Sequence, residues 1–156
     1  MNPEIVKSLH EVPLFAEFTE PEIEGVLDLI DEAQFETGEK IVTQDEKGDC
    51  MYVLIHGSAR VVHRREGREI ELATLKRGDF FGEIALVDSG PRSADVVALE
   101  RCQLLKIEHG ALRAVAGVYP NAAFKLLIAV GRALVERMRR GNQKYIDSLL
   151  TGTGGE

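Results

Sequence analysis

The chain has 156 residues, 44% of them hydrophobic and 29% charged. That mixture suits one folded domain and excludes collagen-like, low-complexity and wholly disordered chains. Nineteen Lys and Arg against 26 Asp and Glu give a formal net charge of −7, which argues against a broad nucleic-acid surface but allows a small anion in a local pocket.

The N-terminal stretch MNPEIVKSLHEVPLF lacks the continuous apolar run of a secretory signal. Near the C-terminus the longest apolar stretch, Leu126 to Gly131, is bounded by Lys125 and Arg132 and is far too short to span a bilayer. A cytoplasmic protein with no membrane partner is expected. Cys50 and Cys102 form no CxxC pair and read as structural thiols of a reducing compartment.

Residues 1–30 carry helical signals. Thr19 followed by Glu20, Pro21 and Glu22 supplies an N-cap, a proline in the first turn and a carboxylate three residues on. Ile23, Val26, Leu27 and Ile30 then make one buried stripe, and Leu14 and Phe15 staple the preceding segment to the body. From 32 to 107, short runs such as IVTQ, MYVLI, ARVVH, EIELATL, DVVAL and QLLKI are separated by glycines at mostly regular intervals. Such spacing predicts strands joined by tight turns. Ile70 and Leu72 alternate with Glu69 and Glu71, predicting a strand with one face inside and one in water.

Helical periodicity returns at His109–Val118, and Pro120 opens a longer helix predicted to reach residue 148. On it, Phe124, Leu127, Gly131, Leu134, Met138, Gly141 and Tyr145 form a heptad-like stripe. Packing on the protein's own barrel and a homodimer seam through helix 120–148 both fit that stripe. Arg132, Arg137, Arg139, Arg140 and Lys144 read first as a solvated helix face. The predicted class is therefore α+β, mainly β: an antiparallel barrel or jelly roll flanked by N-terminal helices and a long C-terminal helix. Residues 1–148 form a single domain, with 1–30 and 108–148 helical around a 32–107 barrel, and 149–156 a flexible tail.

The segment GDFFGEIALVDSGPRSADVVA, residues 78–98, carries the chemistry. Gly82 opens a short helical turn whose first amides point outward unpaired, a cradle for an anion. Arg92 lies nine residues after Glu83 and can return its guanidinium to that cradle, with Ser93 adding a hydroxyl. Glu83 suits an anion site only if it accepts hydrogen bonds from sugar hydroxyls. As a bare surface ion pair, Glu83 and Arg92 would contribute little.

This run resembles the phosphate-binding cassette of cyclic nucleotide-binding domains, whose pattern is FGE, a small apolar helix, then PR-small-Ala. The likeness extends through TGEKI at 37–41, GDCMYVLIHGSARVV at 48–62 and EGREIELATLKRGDFFGE at 66–83, and covers about residues 12–145. It is similar to the catabolite activator type of bacterial sensor, without the helix-turn-helix domain that follows the long helix in that type. The resemblance implies a cassette at 80–96, with Glu83 on the ribose 2′-hydroxyl beside Gly82. Arg92 would meet the cyclic phosphate, with Ser93 and the backbone of Ile84 and Ala85 nearby. It implies a base pocket of Val61, Leu72, Ala73, Arg137 and Met138. Asp95 stands where the bacterial branch often has Thr or an aromatic, which leaves base recognition open.

No HxH pair, cysteine cluster or nucleophile elbow is present. No enzyme activity, metal or cofactor is expected. The expected function is sensing of a cyclic purine nucleotide, cAMP ahead of cGMP, relayed by the C-terminal helices to a separate effector protein. Two alternatives stand beside it. One is a ligand-free interaction module on the same barrel; the other is a fragment of a transcription regulator whose DNA-binding domain is absent, with no direct DNA binding of its own.

Overall fold

The computed structural model describes residues 3–82 and 90–151. The chain begins with α1 (Pro3–His10), a 3-10 turn at Pro13–Phe15 and α2 (Glu20–Leu29). The strands follow: β1 (Asp31–Phe35), β2 (Lys40–Val42), β3 (Lys47–Gly48), β4 (Cys50–His56), β5 (Ala59–Arg65) and β6 (Arg68–Leu75). After them come β7 (Phe80–Phe81), β8 (Gly90–Pro91), β9 (Asp95–Ala98) and β10 (Cys102–Glu108), then α3 (His109–Val118) and α4 (Pro120–Thr151).

Hydrogen bonding organises the strands into two four-stranded antiparallel sheets, ordered β1-β10-β4-β7 and β2-β9-β5-β6, with β3 and β8 as a separate two-stranded ribbon. The sheets face each other across Ile41, Tyr52, Leu54, Ala59, Leu75, Phe81, Val96, Ala98 and Leu104. On the other face of the first sheet, Met51, Val53, Ile55, Leu105 and Ile107 meet the helices. Strand β4 is therefore buried on both faces, and all of Cys50 to Ile55 is buried. That explains why CMYVLI is an unbroken apolar run where a half-exposed strand would alternate.

The helical layer is held in register by specific polar contacts. At the start of α2, Thr19 Oγ1 accepts from the Glu22 amide and Glu22 Oε1 accepts from the Thr19 amide, the predicted capping box. Glu22 also accepts from Lys125 Nζ of α4 at 2.6 Å. Burial alone would raise its carboxyl, but Lys125 and Thr19 outweigh that and hold it below the ordinary carboxylate value. Leu14 and Phe15 are buried as the staple reading required.

Two sequence expectations are corrected. Strand β6 does not bury one face: Ile70 and Leu72 are 51% and 58% exposed. Strand β6 is the edge of its sheet, and every residue from Arg68 to Thr74 is exposed. The pairing also shifts there: Val61 pairs with Ala73 but Val62 pairs with Glu71, so Leu72 is an unpaired bulge residue. The second correction concerns α4, which runs to Thr151, three residues past the predicted end at 148. Its body-facing stripe is Ala122, Ala123, Leu126 and Val130. In the heptad-like stripe, Phe124, Leu127, Met138 and Tyr145 are exposed while Gly131 and Leu134 are half-buried. From Val135 to Asp147 every residue is exposed. Among the described residues no helix is long and apolar enough to cross a membrane.

Burial separates two leucines of equal size. Leu54 is fully buried between the sheets and Leu72 is 58% exposed, so Leu54→Ala is expected to cost about 2–5 kcal/mol and Leu72→Ala within about 0.5 kcal/mol. Urea unfolding of both variants checks the difference.

Candidate functional site

The ribbon of β3 and β8 brings Arg92 into place. Lys47 pairs with Pro91 and Gly48 with Gly90. Immediately afterwards the Arg92 amide donates to the Glu46 carbonyl and the Asp45 amide donates to the Arg92 carbonyl, both at 2.8 Å. Asp45 turns the chain there with φ +71°, a left-handed conformation that a short polar side chain tolerates better than most.

The side chain of Arg92 is half-buried and lies against Gly48 and Gly82. A Cβ at either glycine would collide with it: with Nε and Cζ at Gly48, and with Nη1 at Gly82. Gly82 is further required by its φ of +77°. Nη2 donates to the Cys50 carbonyl at 2.7 Å and lies 3.5 Å from the Cys50 thiol. Among the described residues the hydrogen bonds of this side chain use only Nη2. One Nη2 hydrogen is anchored at the Cys50 carbonyl, and Nε–H, the Nη1 hydrogens and the second Nη2 hydrogen are not consumed there, a donor set that suits an anion.

Behind the guanidinium, the Tyr52 ring stacks on Phe81 with centroids 5.3 Å apart and planes 21° from parallel. Burial, with the Cys50 thiol beside it, pushes the Tyr52 hydroxyl well above its ordinary value, and Arg92 opposes that only in part. Tyr52 thus stays neutral and contributes no competing anion.

Ser93 is exposed at the rim, and its carbonyl accepts from His63 Nδ1 at 2.8 Å. Asp95 points away from solvent, 2% exposed. Its carboxylate accepts from the Gln44 amide at 2.7 Å and Arg64 Nε at 2.7 Å, with Lys40 Nζ at 3.3 Å. This carboxylate is consumed inside the fold. Sequence reasoning missed its partners, because Gln44, Lys40 and Arg64 sit on segments whose proximity is set by the β2-β9-β5 order.

Val61, Leu72, Ala73 and Arg137 come together in one cleft of about 640 Å³, together with Phe80, Phe81, Arg140 and Lys144. Arg137 Nη2 donates to the Phe80 carbonyl at 3.0 Å, and its guanidinium lies 4.5 Å above the Phe80 ring. It is therefore more than part of a solvated face. Met138, the next residue, is 67% exposed and does not line this cleft. Arg92 does not line it either, but Phe81 does, and Gly82 beside it touches Arg92. A smaller groove of about 380 Å³, between the 3-10 turn and α4, shares only Phe80 with this cleft. Glu83, Ile84 and Ala85 lie outside the described residues.

The fold is a jelly-roll module in which the Arg92 side chain lies beside a cleft lined by Arg137, Arg140 and Lys144. The sequence matches the cyclic nucleotide-binding domain family over residues 32–118, and the chain belongs to that family. It is 35% identical over 92 residues to a cAMP-dependent protein kinase regulatory subunit of Mycosarcoma maydis, covering 59% of this chain and 18% of that protein. It is 36% identical over 97 residues to the cGMP-dependent protein kinase egl-4 of Caenorhabditis briggsae, covering 61% and 13%. The chain thus spans less than a fifth of these curated relatives. Among solved structures, the catabolite activator protein of Thermus thermophilus is similar with a TM-score of 0.76 and 28% identity, covering 88% of this chain and 62% of that one.

Burial raises the Asp95 carboxyl, but the Gln44 amide, Arg64 and Lys40 outweigh it and hold it below the ordinary carboxylate value. Its stabilisation is therefore full above the unfolded value, about 3.9, and is lost as pH falls through the lower folded one. Asp95→Asn is expected to cost on the order of 1–2 kcal/mol near pH 7, since Lys40 and Arg64 are half in water. The gap from wild type should narrow as pH falls below the unfolded value and through the lower folded one. Denaturant unfolding of both proteins across that range measures it.

Proposed function

We propose that the chain is a non-enzymatic sensor of a cyclic purine nucleotide, cAMP in preference to cGMP, that passes its state to a separate effector protein. The observation that carries this reading is the half-anchored Arg92 fork, shielded by Gly48 and Gly82 at the entrance to the cassette. In it, Arg92 and Ser93 receive the cyclic phosphate with the backbone of Ile84 and Ala85. Glu83 takes the ribose 2′-hydroxyl beside Gly82. The base enters the cleft over Val61, Leu72 and Ala73 beneath Arg137, with Met138 closing from α4 when that helix moves.

The relay runs through α4. Arg137 grips Phe80, two residues before Gly82, so a shift of the cassette on binding is felt directly on that helix. Ligand moves the equilibrium only by its differential affinity for two arrangements. The exposed apolar side chains Phe124, Leu127, Met138 and Tyr145 on α4 supply the surface for an effector or for a second copy of this chain.

Calorimetry with cAMP and cGMP tests the ligand. Binding of cAMP is expected to be the tighter, and Arg92→Ala is expected to weaken it about tenfold to hundredfold or more through lost charge-assisted bonds. Unchanged affinity in that variant would remove Arg92 from the site. For the relay, spin labels on α4 and on β10 should report a changed distance at saturating cAMP; identical distances with and without ligand would end this part of the proposal.

A further inference from the structure

Residues 92–95 leave the ribbon and enter β9 under more polar restraint than the strand pairing requires. The Arg92 amide and carbonyl are both bonded to the turn at 45–46. The Ser93 carbonyl accepts from His63. Asp95 accepts from the Gln44 amide, and from Arg64 through Nε at 2.7 Å and Nη2 at 3.3 Å. Gln44 closes the ring: its Oε1 accepts from the Arg64 amide at 2.7 Å and its Nε2 donates to the Arg64 carbonyl at 2.8 Å. The side-chain amide of Gln44 thus pairs with the β5 backbone as a neighbouring strand would. None of these contacts uses the Arg92 guanidinium, whose own bond is to the Cys50 carbonyl.

We infer that Gln44, His63, Arg64 and Asp95 form a clasp whose function is to position Arg92, making them positioning residues for phosphate recognition. The reading rests on the nucleotide site proposed above. The physical reason lies in the backbone. A guanidinium held by one Nη2 bond keeps its remaining donors aimed only if its Cα is fixed as well, and the cost of fixing it is met by the clasp before ligand arrives. The buried Asp95 carboxylate gives the clasp some stability, kept modest because Lys40 and Arg64 are nearly half exposed on their side chains. What the clasp adds beyond that is geometry.

The test uses the full chain. Arg92 Nε–Hε heteronuclear NOE is recorded without ligand in wild type, His63→Ala and Gln44→Ala, and cAMP affinity is measured calorimetrically for each, alone and combined with Arg92→Ala. His63→Ala removes one rim contact, so the protein stays folded and its Tm stays close to wild type. The clasp predicts an ordered Arg92 Nε in wild type that becomes mobile in both variants, and a loss of cAMP affinity of roughly three- to thirtyfold. In the Arg92→Ala background the same substitutions should cause no further loss. A merely structural role would leave Arg92 Nε ordered, or would weaken binding equally in both backgrounds, and either result overturns the inference. If Arg92 Nε loosens in the variants but wild type binds neither cAMP nor cGMP, the clasp stands and the nucleotide reading falls.

Discussion

The structure depends on one strand being buried twice. Along β4, Met51, Val53 and Ile55 face the helices while Cys50, Tyr52 and Leu54 face the second sheet. Both hydrophobic clusters therefore share this backbone, and β10 beside it divides Leu105 and Ile107 from Leu104 in the same way. A strand packed on both sides cannot shift register by one residue without exchanging its two side-chain sets, so its carbonyls are fixed points. One of those carbonyls, at Cys50, holds the Arg92 guanidinium. The Arg92 side chain is thereby referenced to the strand buried on both faces.

From that reference point the site grows outward through contacts that link neighbouring elements. Tyr52 of β4 stacks on Phe81 of β7; Gly82 follows and lies against Arg92; Phe80 precedes and carries Arg137 of α4. Three successive residues, 80 to 82, thus touch the long helix, the core and Arg92 in turn. A two-residue strand is enough for this because β4 pairs with it on one side and α4 meets it through Arg137. It also explains why glycine stands at 82: the chain must turn with positive φ and leave room for the arginine at one position.

Much of this was legible in the sequence. The capping box at Thr19, the apolar runs of β2, β4, β5, β6, β9 and β10, and the helix opening at Pro120 follow from local periodicity and cap chemistry. So does the pairing of Gly82 with Arg92, because the glycine and the arginine stand in one short motif. What local pattern could not supply was anything that depends on long-range register. DEAQF reads as too polar for a strand, yet β1 forms because β10 offers it a hydrogen-bonding edge. The bulge at Leu72 is invisible in an alternating EIEL, since only the partner strand reveals which residue is extra. Asp95 is the sharpest case: its partners lie 31 to 55 residues away in sequence, and nothing near it announces that it is buried.

Charge illustrates the same separation of local from global. A formal net charge of −7 describes the whole surface, yet Arg137, Arg140 and Lys144 line one cleft and Arg92 stands just past its wall. Several acidic residues are paired elsewhere, Glu22 with Lys125, Glu11 with Arg77 and Asp95 with Arg64 and Lys40, while in the cleft Asp79 stands against three cations. The local balance there is therefore opposite in sign to that of the whole chain. Arg137, Arg140 and Lys144 all come from the outer half of α4, where Arg137 packs on Phe80, so the charge of the cleft and the placement of that helix are set by the same residues.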